Sequence, residues 1–218
     1  MSGSGSSSVY TVIEGDIVTE KGANWEGSLG FRWGENYAVS NKHVLPDVGA
    51  RVVHRTEPWK DSREIGTVVK TVKWRNPTLW DWILYIFTGR PMPANKVDAS
   101  LIRLDQDVAV QKAFPTPGDV VVVRRGMTVY KRGRTTGVTT GYVMNDNVTV
   151  NVDMGNGKIL VFTDVYQMSN ETKAGDSGGV CRTDEGILGI TFAGPESGAY
   201  GFGIKATNIV REFGLEQK

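Results

Sequence analysis

The chain has one cysteine and two histidines in 218 residues. A lone thiol, Cys181, cannot close an intrachain disulfide, which excludes a disulfide-stapled secreted domain. The same scarcity excludes a zinc site built from Cys and His alone, and no metal or cofactor is expected. Excess charge of one sign is missing too. The 25 Lys and Arg residues stand against 24 Asp and Glu, a formal net charge of +1. That balance offers no global attraction to nucleic acid or to anionic membranes. No run is apolar for long enough to span a bilayer; the longest, LWDWILYIF at 79–87, contains Asp81. The opening MSGSGSSS has no apolar core, so residues 1–8 read as a flexible tail or a cloning scar. The missing secretory signal points to the cytoplasm.

What the chain does contain is an ordinary globular mixture, 39% hydrophobic and 22% charged, which sets disorder and coiled coil aside. Short β-type runs alternate with Gly, Asn, Asp and Pro: 28–33, 36–40, 51–54, 65–74, 99–104, 120–124, 127–131, 142–152, 158–168, 187–192 and 200–205. Gly34-Glu35 and the MGNG string at 154–157 read as hairpin turns. So many short strands predict an all-β chain of antiparallel sandwiches or barrels. Helical spacing is confined to 206–213, stopped by Gly214, and to 77–88, stopped by Gly89. Two prolines and a glycine in QKAFPTPG mark residues 111–118 as a linker. The expected division is a first domain at 9–110, the linker, a second domain at 119–205 and a terminal helix within 206–218.

The strongest chemical signal is Ala174-Gly175-Asp176-Ser177-Gly178-Gly179. An acyl-transfer serine must project from a tight turn while backbone N–H groups face the developing oxyanion. Glycines on either side let the backbone take that turn and approach a substrate closely. Gly175 and Ser177 would supply the oxyanion N–H groups, and Asp176 would turn inward. The bland alternative is a glycine-rich β-turn and nothing more. His43, in AVSNKHVL, follows an apolar strand through a short polar turn. His54, among strand residues and basic neighbours, reads as a surface strand histidine. Asp98 precedes the alternating strand 99–104, where a buried carboxylate needs a hydrogen-bond partner that an imidazole N–H can provide. Asp105 and Asp107 follow that strand and read as solvated. Cys181 reads as an inert buried thiol.

With His43, Asp98 and Ser177 in that order, the chain resembles a chymotrypsin-fold, trypsin-like serine peptidase. The stretches SNKHVL, VDAS, KRGRTTGVTTG and GDSGG are closest to bacterial, phage and plant narrow-leaf-type members. The resemblance implies two six-stranded antiparallel barrels and a C-terminal helix, with a protein or peptide substrate bound between the barrels. It implies His43 as general base, Asp98 as its orienting carboxylate and Ser177 as nucleophile. It further implies Glu171 at the base of a primary specificity pocket, either as a buried carboxylate suited to a substrate Lys or Arg or neutralised internally by Lys173. Thr191, Phe192, Ala193 and Gly198 would wall that pocket. Three features depart from the family pattern: Lys42 in place of asparagine beside His43, an insertion over 75–94, and no cysteine pairs. The cluster around Lys131, Arg132 and Arg134 reads as a solvated turn, and nucleic acid is not expected as a partner. The aromatic stretch 79–87 is read two ways, as packing on the first barrel or as an exposed patch for a partner or a subunit.

Overall fold

The computed structural model describes residues 8–58, 60, 63–154 and 158–215. The start of the predicted tail and three residues of the MGNG turn lie outside them. Among the described residues, β1 (Tyr10–Ile13) and β9 (Val108–Gln111) form a parallel pair. β2 (Ile17–Glu20), β3 (Gly27–Ser28), β4 (Arg32–Trp33), β5 (Tyr37–Ser40), β6 (Arg51–Arg55), β7 (Arg63–Thr71) and β8 (Ser100–Leu104) make a curled sheet in the order β3-β2-β6-β7-β8-β5-β4. β10 (Thr128–Gly133), β11 (Gly137–Asp153), β12 (Ile159–Met168), β13 (Val180–Thr183), β14 (Gly186–Ala193) and β15 (Gly201–Lys205) close into a six-stranded barrel. The two-barrel all-β architecture is therefore present. In the first barrel the ladder itself stays open, and its end strands β3 and β4 are joined through Leu29–Phe31.

The element boundaries differ from expectation where a strand depends on a distant partner. Residues 121–124 form no strand; Val120 alone bridges to Ile187. β1, β2, β9 and β13 have little sequence signal of their own and exist because a neighbouring strand satisfies their backbone groups. Helix α1 (Leu79–Thr88) starts at a capping box between Thr78 and Asp81 and ends at Gly89 in the left-handed region. Helix α2 (Ala206–Phe213) ends at Gly214, also left-handed, and buries Ile209, Val210 and Phe213.

Strand alternation sets what faces inward. β10 alternates strictly, so Val129, Lys131 and Gly133 point into the second barrel. Val129, Val143, Tyr166, Met168, Cys181 and Leu188 fill that interior. Val12, Val18, Leu29, Leu45, Ile65, Val68 and Ile102 fill the first. A third cluster joins Phe31 and Val39 of the first barrel to Phe162, Ile190, Phe192, Ile209 and Phe213, which makes the interface apolar as well. Fully burying each such side chain contributes about 1.5–3 kcal/mol.

Candidate active site

β5 and β8 run antiparallel with Ser40 opposite Ser100. Two further steps along that register set Lys42, in the turn Asn41-Lys42-His43, against Asp98. The Asp98 carboxylate is fully buried. Its Oδ1 accepts the Lys42 N–H at 2.9 Å and the His43 N–H at 3.2 Å. Its Oδ2 lies 2.5 Å from His43 Nδ1. The Asn41 side-chain amide donates to the Asp98 carbonyl at 2.7 Å, fixing the backbone behind the carboxylate. The unusual Lys42 sends its ammonium to the Val72 carbonyl at 2.6 Å and over the Trp74 ring at 4.7 Å. Burial holds the Lys42 pKa below its ordinary value, against the pull of Asp98.

The serine turn is assembled from both barrels. The Ser28 N–H donates to the Ser177 carbonyl at 2.7 Å, and Ser28 Oγ donates to the Gly175 carbonyl at 2.8 Å. Gly178, at φ 90°, leaves no room for a Cβ, which would collide with the Ser28 carbonyl and Ser40 Oγ. The turn therefore sits against β3 and β5, the strands that lead to His43. Neither the Gly175 N–H nor the Ser177 N–H has an acceptor among the described residues. No hydrogen bond joins His43 to Ser177 among them.

Asp176 is fully buried and anchors the turn from below. Its Oδ1 accepts the N–H groups of Thr135 and Thr136, each at 3.0 Å. Its Oδ2 accepts from Thr136 Oγ1 at 2.8 Å and from the Lys173 N–H and Lys131 Nζ, each at 3.0 Å. Burial alone would raise this carboxyl pKa; the Lys173 and Thr136 N–H groups and the Lys131 ammonium outweigh it and hold it below the ordinary value. Asp176 thus turns inward, and donors from within the chain meet its carboxylate.

Three expectations are corrected. Glu171 is exposed and paired with Lys173 at 2.5 Å, so no buried carboxylate stands there. Thr172 is the buried neighbour: its N–H donates to the Gly198 carbonyl at 3.1 Å, and a Cβ on Gly194 would sit 3.2 Å from its methyl group. Thr191, Phe192 and Gly198 are buried and Ala193 is half-buried. His54 lies on β6 but is buried, between Tyr10 Oη at 2.8 Å and Asp16 at 3.3 Å. The basic cluster is not a solvated turn. Lys131 is fully buried, Arg132 pairs with Asp16 at 2.7 Å and Arg134 pairs with buried Glu26. Asp105 and Asp107 are partly exposed and paired with Arg51 and Arg63. Cys181 is buried, and burial pushes its thiol pKa up. Sequence reasoning missed the buried pair of Arg182 with Glu14, at 2.6 Å, because neither residue stands in a recognisable motif.

Residues 19–211 match the family model described as Trypsin. The chain belongs to the trypsin family. Its fold is that of bacterial members of this family of serine peptidases. Thermobifida fusca protease A is 22% identical, with a TM-score of 0.62 over 94% of this chain and 96% of that one. The Nocardiopsis protease is 19% identical, with a TM-score of 0.67 over 94% and 97%. Cellulomonas bogoriensis chymotrypsin is 19% identical, with a TM-score of 0.64 over 96% and 99%. No curated protein sequence matches this trypsin-family chain.

Proposed function

We propose that the protein is a serine endopeptidase that cleaves peptide bonds through an acyl-enzyme on Ser177. The observation that carries the reading is the 2.5 Å contact between His43 Nδ1 and the buried Asp98 carboxylate, beside a serine turn with two unengaged N–H groups. Asp98 holds the His43 tautomer that leaves Nε2 free to take the Ser177 hydroxyl proton and later return it to the leaving amine. Ser177 Oγ attacks the scissile carbonyl, and the Gly175 and Ser177 N–H groups stabilise the oxyanion, at about 3 kcal/mol per donor. Thr191, Phe192, Ala193 and Gly198 are the proposed pocket walls; Glu171, exposed and paired, has no part in this proposal.

A second reading, a protease-fold binding module held inactive until a partner binds, is favoured by the missing His43–Ser177 hydrogen bond. In unliganded peptidases that bond is often long and tightens with substrate. A fluorophosphonate probe separates the two. Covalent labelling mapped to Ser177, lost in Ser177→Ala and strongly slowed in His43→Ala, supports the peptidase. An unlabelled, folded protein that also leaves casein intact refutes it.

A further inference from the structure

The excursion that carries α1 leaves and returns through one hydrogen-bonded stem. Asn95, buried, accepts the Arg75 N–H at 2.7 Å and donates to the Arg75 carbonyl at 3.1 Å. Its backbone is tied to β12 through Val161 and Thr163, each at 2.8 Å. The helix held on this stem buries none of its residues. Leu79 is 76% exposed, Trp80 72%, Ile86 69% and Phe87 80%, with Trp82 and Tyr85 about half exposed. At 100° per residue, Trp82, Ile86, Leu79, Ile83, Phe87, Trp80 and Leu84 cover more than half of the helix circumference. Asp81, Thr88 and Tyr85 take the rest, and Asp81 is occupied in the N-terminal capping box.

The segment that carries the helix is cationic. Lys73, Arg75, Arg90 and Lys96 are exposed, and none lies within ion-pair distance of a carboxylate among the described residues, with Arg90 acting at longer range on Asp81 and Lys96 on Asp164. Asp81 is the single carboxylate between residues 73 and 96. A locally cationic, aromatic-rich surface thus stands out from a chain that is nearly neutral overall.

We propose that α1 and its flanking cations dock the protein on an anionic lipid bilayer. A ten-residue helix is about 15 Å long, too short to cross the hydrocarbon, so it lies in the interface with its apolar arc in the acyl boundary. Trp and Tyr favour that boundary, and the four cations meet the lipid headgroups. A second copy of the chain fits less well. One short helix offers less than the ~800 Å² per partner of a stable interface, and a symmetric contact would bring the unpaired cations against their own copies. The stem rises beside the candidate site, since Trp74 carries the ammonium of Lys42, next to His43.

Co-sedimentation of the full chain with vesicles tests this without using activity. The chain should bind phosphatidylcholine vesicles containing about one-third phosphatidylserine, and bind pure phosphatidylcholine far more weakly. Arg75→Gln with Arg90→Gln should lower partitioning about thirtyfold, roughly fivefold per cation. Trp80→Gln with Ile86→Gln and Phe87→Gln should abolish it while leaving the melting temperature unchanged. Failure to bind the anionic vesicles overturns the proposal. So does binding that both variants retain, or a loss of several degrees of melting temperature in the triple variant, which would mean that the helix packs on the barrel. A dimer that the triple variant dissociates, without lipid binding in the parent, assigns the face to self-association and overturns it as well.

Discussion

Replacing Lys131 by methionine tests how the serine turn is held. The ammonium lies 3.0 Å from Asp176 Oδ2, and both side chains are fully buried. Methionine keeps the length and the apolar stem but removes the charge, leaving a carboxylate in the barrel without its cation. Breaking a buried pair on one side costs about 3–5 kcal/mol. Three N–H groups and the Thr136 hydroxyl remain on Asp176, so the low end, about 3 kcal/mol, is expected. For a chain of this size that lowers the melting temperature by about 6–12 °C at pH 7. The pH dependence supplies a second check. The Asp176 pKa is depressed in the folded protein, so its stabilisation is present above the ordinary value of 3.8 and is lost as pH falls through the folded value. In the methionine variant the folded pKa rises, because the Lys173 and Thr136 hydrogen bonds are left to offset burial without the ammonium. As pH falls through the folded value of the variant and then through the lower one of the parent, Asp176 becomes neutral in both, and the gap between them should narrow. Differential scanning calorimetry at pH 7 and at successively lower pH reads both. An unchanged melting temperature at pH 7, or a gap that widens in acid, would refute the reasoning.

Other consequences are open to direct measurement. Asp98→Asn should lower peptidase turnover about 10⁴-fold with an unchanged circular dichroism spectrum, because an amide stabilises the wrong His43 tautomer. Arg182→Met strands the fully buried Glu14, which also accepts the N–H groups of Arg32 and Ala113, and should cost about 3–5 kcal/mol in denaturant titration. Arg182→Lys should recover little of that loss, because an ammonium cannot reproduce the two-pronged contact of Nε and Nη2. Cys181, buried with a raised thiol pKa, should resist iodoacetamide in the native protein and react at the rate of unfolding.

The features legible in the sequence are those whose cause is local. A serine turn needs its glycines within a few residues, so GDSGG could be read directly. The α2 boundaries follow from helical spacing and Gly214, and the end of α1 from Gly89; its start, read at residue 77, lies two residues later, where the Thr78–Asp81 capping box sets it. Asp98 could be placed at a strand start because the alternation of 99–104 announces the strand. That Asp98 reaches His43 follows from the β5–β8 register, which no local signal encodes. Whether α1 packs or projects was open in the sequence, since an apolar helix reads alike in either setting. Its stem at Asn95 and the absence of a buried residue along the helix, among the described residues, decide it.

The ionic interior belongs to the tertiary structure alone. Lys131, Arg182, Glu14, Glu26 and His54 have the composition of a solvated surface, and only the opposing strands show that each meets a partner. Strand alternation says that Lys131 and Val129 share a face; it does not say that Asp176, from a turn far along the chain, supplies the counter-charge there. Glu171 is a case of the same kind. The family resemblance points to it, but the turn buries Thr172 and leaves the glutamate to Lys173 in solvent. A sequence determines which residues can carry charge and which backbones can turn. Burial, which decides whether that charge must be paired, is set by the strands that close over it.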